Sequence, residues 1–277
     1  VRLGELVREA AAQIGRLEAR VLLAHVLERP ASYLIAHADD LLEAGPRARF
    51  EALVARRRAG EPVAYLVGTR EFYGRSFRVD QRVLIPRPET ELIVDLAREA
   101  FPAGAPRVLD LGTGSGALAV TLACEWPQAR VVAVDASEEA LAVAQANGAR
   151  LGAAVHWLRS DWFDALAAEA RFELIVTNPP YVRLGDPHLA EGDVRFEPAS
   201  ALASGPDGLD DIRRIVAGAA RFLAPAGQIL IEHGYDQAAA VRPLLEAAGF
   251  GQVRSWCDLA GIERISGGRV DASAAGA

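Results

Sequence analysis

Lysine is absent from the chain. All 30 basic residues are arginine, which excludes Schiff-base chemistry and a lysine general base. Methionine is absent too, and because Ala, Arg and Gly are abundant throughout, both gaps read as compositional. Cysteine occurs twice, at Cys124 and Cys257, far apart and each in an apolar stretch. That usage excludes a disulfide framework and a cysteine metal motif, and it leaves two buried free thiols as the expectation. The five histidines show no ligand spacing, so no metal is expected. His25, on an apolar helical face, is expected in the core or at its boundary. No apolar run approaches the roughly eighteen residues of a membrane span, and the start shows no charged-then-apolar signal pattern. A cytoplasmic location without a membrane partner is therefore expected. A basic surplus is missing as well. The formal net charge is -7, which argues against a protein held on nucleic acid by phosphate neutralisation.

What is present suits two domains, since 51% hydrophobic residues in a chain of 277 can fill one large core and a smaller one. Leu3 to about Gly60 reads as helical, with Leu17, Val21, Leu22, His25 and Val26 repeating at three and four. Breaks at Arg29-Pro30 and Gly45-Pro46 divide that region into short helices. The run Arg56-Arg57-Arg58 suits a solvated helix end, with an acidic partner as the alternative. Thr69 to Val79 alternates around a glycine-containing turn and predicts a hairpin. In Ile85-Pro86-Arg87-Pro88-Glu89-Thr90-Glu91, proline fits the first helical position and the acids fit the positive end of the helix dipole. The same residues could line the mouth of a site. Beyond them strands and helices alternate, interrupted by a long irregular stretch from about Val182 to Gly208. The tail from Val270 to Ala277 is small and polar enough to be disordered.

Three strand ends carry candidate chemistry. The first is Val108-Leu109-Asp110-Leu111 running into Gly112-Thr113-Gly114-Ser115-Gly116 and then an apolar helix, a turn whose backbone can approach a ligand closely. Its Asp-x-Gly-x-Gly-x-Gly spacing differs from the dinucleotide fingerprint, and Asp110 would repel a pyrophosphate there. A cofactor with a cationic centre and an ammonium group suits an acidic turn better, and S-adenosylmethionine has both. The next strand ends in Asp135, about twenty residues on, where a carboxylate can accept hydrogen bonds from ribose hydroxyls or can cap the following helix, a task for which Ser137 competes. A third strand ends in Ser160-Asp161-Trp162-Phe163. In a doubly wound sheet it borders the same crevice, so the acid can take an adenine amino group while Trp162 covers the ring. A capped turn with a core tryptophan is the equal alternative.

A fourth strand, Phe172 to Thr177, runs directly into Asn178-Pro179-Pro180-Tyr181. The Asn178 Oδ1 and the Pro179 carbonyl are two acceptors side by side, in a segment whose prolines lock φ and offer no competing N–H. Such a pair can hold a planar NH2 group by both hydrogens, with Tyr181 offering a face to stack on. Asn-Pro-Pro can also be a plain strand-stopping turn.

With these motifs in place the chain resembles the bacterial peptide-chain release factor glutamine methyltransferases. The resemblance runs from Ile85–Glu91 through Asp110–Gly116, Ser160–Phe163 and Asn178–Tyr181. It continues through Asp186-Pro187-His188-Leu189 and Phe196-Glu197-Pro198 to Glu232-His233-Gly234, and covers the helical N-terminal region less specifically. It implies an α/β, Rossmann-like, seven-stranded class I S-adenosylmethionine-dependent methyltransferase fold with a small N-terminal helical domain. Residues 1–68 would recognise the substrate, 69–84 form a hairpin linker, and 85–277 form the methyltransferase domain. The implied reaction methylates the side-chain amide nitrogen of the glutamine in a Gly-Gly-Gln motif of the termination factors, leaving S-adenosylhomocysteine. The implied cofactor contacts fall on Gly112, Thr113, Gly114, Ser115, Gly116, Asp135, Trp162 and Asn178. The implied substrate contacts fall on Asn178, Pro179, Pro180 and Tyr181, with Asn178 and Pro179 catalytic. Adenine-N6 DNA methyltransferases and a sister family acting on a ribosomal protein share the Asn-Pro-Pro-Tyr motif. Arg87-Pro88-Glu89-Thr90 favours the release-factor branch, and the acidic charge disfavours DNA.

Overall fold

The computed structural model describes residues 1–272, so residues 273–277 of the expected tail lie outside the described residues. Contacts divide the chain into two compact units. One is Val1–Thr69 with Glu191–Phe196, and the other is the rest of the chain.

The first unit is helical: α1 (Leu3–Ile14), α2 (Arg16–Leu27), a short α3 (Tyr33–Ala36), α4 (Ala44–Arg58) and a short α5 (Val63–Val67). Leu3, Leu6 and Ala10 of α1 pack with Ala19, Leu22 and Leu23 of α2 and with Phe50 and Val54 of α4. This stripe is rotated from the expected one. Gly15, at φ +87°, stops α1 and restarts the chain as α2, whose buried residues recur at 19, 22 and 23. Leu17 is consequently 76% exposed, and His25 is exposed rather than at a core boundary. Arg29-Pro30 does follow a helix end, but Gly45-Pro46 sits inside the first turn of α4 rather than at a break. A proline there forfeits no intrahelical hydrogen bond. Within the arginine run, Arg57 is not a solvated helix end, since its guanidinium contacts Glu18 at 2.6 Å and Asp193 at 2.6 Å.

The second unit opens with a hairpin of β1 (Thr69–Phe72) and β2 (Arg75–Arg78), joined by Tyr73 and Gly74 at φ +50° and +71°, the left-handed pair that a two-residue turn needs. Pro88–Thr90 form a 3-10 turn leading into α6 (Glu91–Ala100). The alternation then runs β3 (Arg107–Leu111), α7 (Ala117–Glu125), β4 (Arg130–Asp135), α8 (Glu138–Leu151), β5 (Val155–Arg159) and β6 (Phe172–Thr177). After the long loop come α9 (Asp210–Phe222), β7 (Leu223–Glu232), α10 (Ala238–Ala247), β8 (Gly251–Cys257) and β9 (Glu263–Arg269). The seven-stranded sheet has the order β5-β4-β3-β6-β7-β9-β8, parallel except for β9, which runs antiparallel to both its neighbours.

Both faces of the sheet are covered at its centre, so β3, β6 and the end of β7 are buried at consecutive positions rather than at alternate ones. Val108, Leu174 and Val176 face α6, α7 and the hairpin's Phe72 and Phe77, whereas Leu109, Leu111 and Ile175 face α9 and α10. α7 is buried at every position from Ala117 to Ala123, which explains why it is apolar all round. α9 carries a single stripe, Ile212, Ile215, Val216 and Ala219. Of the two thiols, Cys124 is half-buried but Cys257 is exposed, because β8 is the outer strand of the sheet.

One buried polar residue ties the hairpin to α8 and to the turn after β3. The Asn147 side chain on α8 accepts from the Arg78 N–H at 2.7 Å and donates to the carbonyls of Arg78 and Ser115, both at 2.9 Å. Asn147→Ala strands these groups, and urea unfolding should show a loss of about 1–3 kcal/mol, the scale for orphaned buried polar groups. An unchanged midpoint would mean that water or a shifted backbone replaces the asparagine.

Candidate active site

β3 and β6 are neighbours, yet the chain leaves β3 toward β4 on one side and reaches β6 only after β5. This reversal of strand order opens a crevice at the carboxyl ends of the strands, where ligands bind in open α/β sheets. The loops after β3, β4, β5 and β6 all arrive there, and they enclose a cavity of about 390 Å³. Gly112, Thr113, Gly114 and Ser115 line it, as do Asp135, Trp162, Asn178 and Pro180. Pro86, Thr90 and the returning part of the long loop, Pro198, Ser200 and Ala201, complete the wall.

Of the expected site residues, Gly116, Pro179 and Tyr181 stand outside this lining. Gly116, at φ +82°, is the first residue before α7, and a Cβ there would lie 3.1 Å from that of Ala144, so its smallness serves helix packing. Pro179 is buried, and the Tyr181 hydroxyl is turned toward Glu232.

The turn after β3 is held by its own acid. Asp110 is 1% exposed, and its Oδ2 accepts from the Thr113 hydroxyl at 2.6 Å and from the Ala119 N–H at 3.2 Å. Its carboxylate thus staples the turn to α7 rather than merely setting the charge of the crevice. Burial pushes the Asp110 carboxyl up to about 7, against the pull of those two donors, and Asp135 adds a smaller push. Gly112 and Gly114 both have positive φ. A Cβ on Gly112 would lie 3.3 Å from the Trp162 ring, while one on Gly114 would project into open space.

Asp135 does not cap α8, because Ser137 does so by accepting from the Ala140 N–H at 3.1 Å. The Asp135 carboxylate instead takes the N–H of Gly114 on one oxygen and that of Ser137 on the other, at 2.8 and 2.9 Å. Burial raises its pKa, and the two backbone donors offset part of that rise. Trp162 has a strained φ of +49°, lies against Gly112, and donates its Nε1–H to Asp211 at 3.2 Å. Asp161 also lines the cavity, but its carboxylate pairs with Arg214 at 2.9 Å on an exposed face, which leaves Asp211 as the more enclosed acid beside the tryptophan.

Asn178 follows β6 directly. Its Nδ2 donates to Thr90 Oγ1 at 3.1 Å, and its Oδ1 is buried with no hydrogen-bond partner among the described residues. Thr90 Oγ1 donates to Glu232 Oε2 at 2.6 Å, and the Tyr181 hydroxyl donates to Glu232 Oε1 at 3.2 Å. The sequence put Thr90 in a segment that could line the mouth of a site and Glu232 in a motif without a role, and it did not pair them. The available signal was an acid closing the apolar strand Gln228-Ile229-Leu230-Ile231-Glu232. The long loop is pinned beside them: buried Glu197 pairs with Arg87 and accepts from the Ile85 N–H at 3.1 Å, and Leu202 accepts from the N–H groups of Tyr181 and Val182.

The raised Asp110 carboxyl makes folding pH-dependent. Its folded value lies above its unfolded one, so its contribution is complete below about pH 4 and is lost as the pH rises to about 7. Asp110→Asn keeps an acceptor for both donors, and it should remove a decline in unfolding free energy on the order of 4 kcal/mol across that range. Parallel profiles for both proteins in urea titrations would contradict the burial argument.

Comparison with known proteins accords with this geometry. Residues 5–68 match the PrmC N-terminal domain and residues 90–192 the Methyltransferase small domain. Among solved structures, the Thermus thermophilus 16S rRNA N2 G1207 methyltransferase in complex with AdoMet and guanosine superposes with a TM-score of 0.55 at 26% identity, over 73% of this chain and 49% of that one. The release factor glutamine methyltransferase of Burkholderia pseudomallei is 55% identical over 96% of this chain and 95% of its own length. That of Bordetella pertussis is 55% identical over 91% and 94%. A fold, a crevice and near full-length identity thus point the same way, and the chain belongs to the release factor glutamine methyltransferase family.

Proposed function

We propose that this methyltransferase transfers a methyl group from S-adenosylmethionine to the side-chain amide nitrogen of the glutamine in the Gly-Gly-Gln motif of peptide-chain release factors. The observation that carries the reading is the Asn178 Oδ1, a buried acceptor without a partner among the described residues, on a residue that lines the cavity and is anchored through its own Nδ2. A buried polar atom left unpaired is costly unless a ligand completes it.

The cradle fits the cofactor. Gly114 leaves open space where a side chain would stand, the Asp135 carboxylate is fixed by two backbone donors, and Trp162 forms a flat wall. When bound, S-adenosylmethionine supplies a methyl group on a cationic sulfur that departs as a neutral thioether. Asp135 would accept the ribose hydroxyls, and the turn Gly112–Gly116 would present its backbone to the amino-acid end. Trp162 would cover the base.

An amide nitrogen is a poor nucleophile because its lone pair is delocalised into the carbonyl. Asn178 Oδ1 and the Pro179 carbonyl would each accept one of its hydrogens. This raises negative potential on nitrogen and fixes the direction of its lone pair. The methylated nitrogen is then strongly acidic and can lose its proton to water after the transfer, without a strong base beside the clamp. Residues 1–68 would recognise the factor, 69–84 would link, and 85–277 would carry the reaction, with the cytoplasm as the place of work.

Asp135→Ala should weaken S-adenosylmethionine binding in calorimetry by about 1–3 kcal/mol, the scale for lost hydrogen bonds to a charged acceptor. Unchanged affinity would remove Asp135 from the cofactor site.

Asn178→Ala should slow turnover by about a hundredfold, the scale for one preorganised contact to a reacting group. Mass spectrometry should find a methyl group on the factor's glutamine, none on a factor carrying Glu there, and no N6-methyladenine in DNA. Methylation of DNA with none of the factor would overturn the reading in favour of the adenine chemistry.

A further inference from the structure

We propose that Thr90 and Glu232 are positioning residues that set which way the Asn178 amide faces. The proposal rests on the reading of Asn178 as the amide clamp. An asparagine side chain has a donor end and an acceptor end of nearly equal size, and only the acceptor end can hold the N–H of a substrate. A clamp made from it therefore needs something that tells the two ends apart.

Hydrogen counting supplies that. Thr90 is 5% exposed and Glu232 is 1% exposed, so neither relies on water. The Thr90 hydroxyl has one proton, and with Glu232 ionised that proton goes to Oε2, at 2.6 Å. Thr90 Oγ1 is left with lone pairs only, and the Asn178 atom 3.1 Å away must be the NH2 group. Oδ1 is thereby the end left over for a substrate, on a residue that lines the cavity and with no partner among the described residues. All donors in the chain point toward the carboxylate, since the Tyr181 hydroxyl donates to the other oxygen. Glu232 thus orders the asparagine of the Asn-Pro-Pro-Tyr motif by way of Thr90, and the tyrosine by direct contact.

The polarity can be reversed. A donor at position 232, either a protonated carboxyl or a glutamine amide, would spend itself on Thr90 Oγ1. The Thr90 proton would then be free to donate to Asn178, favouring the turned amide with NH2 in the cavity. Two donors would face the two hydrogens of the substrate amide. Glu232 is placed for such a change: burial pushes its carboxyl up to about 7, with Glu89 from the turn before α6 adding to the rise. The Thr90 and Tyr181 hydroxyls and Arg264 from β9 oppose it.

The test compares Thr90→Val, Thr90→Ser and Glu232→Gln with the wild-type enzyme, measuring cofactor affinity, melting temperature and kcat on a release factor against pH. Thr90→Val and Glu232→Gln should each lower kcat at least about tenfold while cofactor affinity stays within about twofold. Thr90→Ser, which keeps the hydroxyl, should restore most of the rate. The wild-type kcat should fall on the acid side as Glu232 is protonated, and Glu232→Gln should be slow at all pH values and lack that limb. The double variant should be scarcely slower than the slower single one, because both act through one chain. Thr90→Val with wild-type kcat, Thr90→Ser as slow as Thr90→Val, or an acid limb kept in Glu232→Gln would each overturn the proposal. A wild-type enzyme that leaves the factor unmethylated would overturn the functional reading instead.

Discussion

An acceptor buried without a donor is a standing cost, and the enzyme keeps one in Asn178 Oδ1, on a residue that lines its crevice. The cost is tolerable because the other end of the same amide is satisfied and the surrounding structure over-determines its place. Asn178 leaves β6 with prolines at the next two positions, so its backbone has little freedom. Its side chain is held from below by Thr90, at the start of α6, and Thr90 by Glu232, at the end of β7. On the proposed reading, that stored cost is recovered when the amide of a substrate enters, which favours a ligand with hydrogens to give over one without.

The sheet makes such an arrangement possible. Residues 90, 110, 135, 162, 178 and 232 come from six segments, and only the strand order brings them to one edge. Burial on both faces holds the strands in register, and the parallel ladder from β5 to β7 carries every loop that matters to the same side. Asp110 and Asn147 use side-chain carboxylate and amide groups to fasten the glycine turn, at its front to α7 and at its back to α8 and the hairpin. The crevice is preorganised by these polar staples as well as by the apolar core.

Much of this was legible in the sequence, for physical reasons particular to each element. The glycine turn announced itself because positive φ at Gly112 and Gly114 is a local demand, and Asp135 because it closes a strand at a fixed distance from that turn. Asn178–Tyr181 were visible because two prolines after a strand restrict the chain whatever surrounds it. The pairing of Thr90 with Asn178 and Glu232 was not, since these partners lie 88 and 142 residues away and nothing local marks a threonine hydroxyl as shared. The same limit explains the errors. Cys257 sits in an apolar stretch but on an outer strand, Leu17 and His25 fit a helical period whose phase Gly15 resets, and Gly45-Pro46 falls where a helix begins. Periodicity identifies the element, while tertiary packing decides which side of it is inside.

The most direct test of a clamp built from two acceptors is the number of methyl groups it can add. An unmodified glutamine amide brings two hydrogens, one for Asn178 Oδ1 and one for the Pro179 carbonyl, and a methylated amide brings only one. A release factor incubated exhaustively with the enzyme and S-adenosylmethionine, then digested and weighed by mass spectrometry, should carry one methyl group on that glutamine however long the reaction runs. Accumulation of a dimethylamide would contradict the requirement for two hydrogens, and with it the role assigned to the buried oxygen of Asn178.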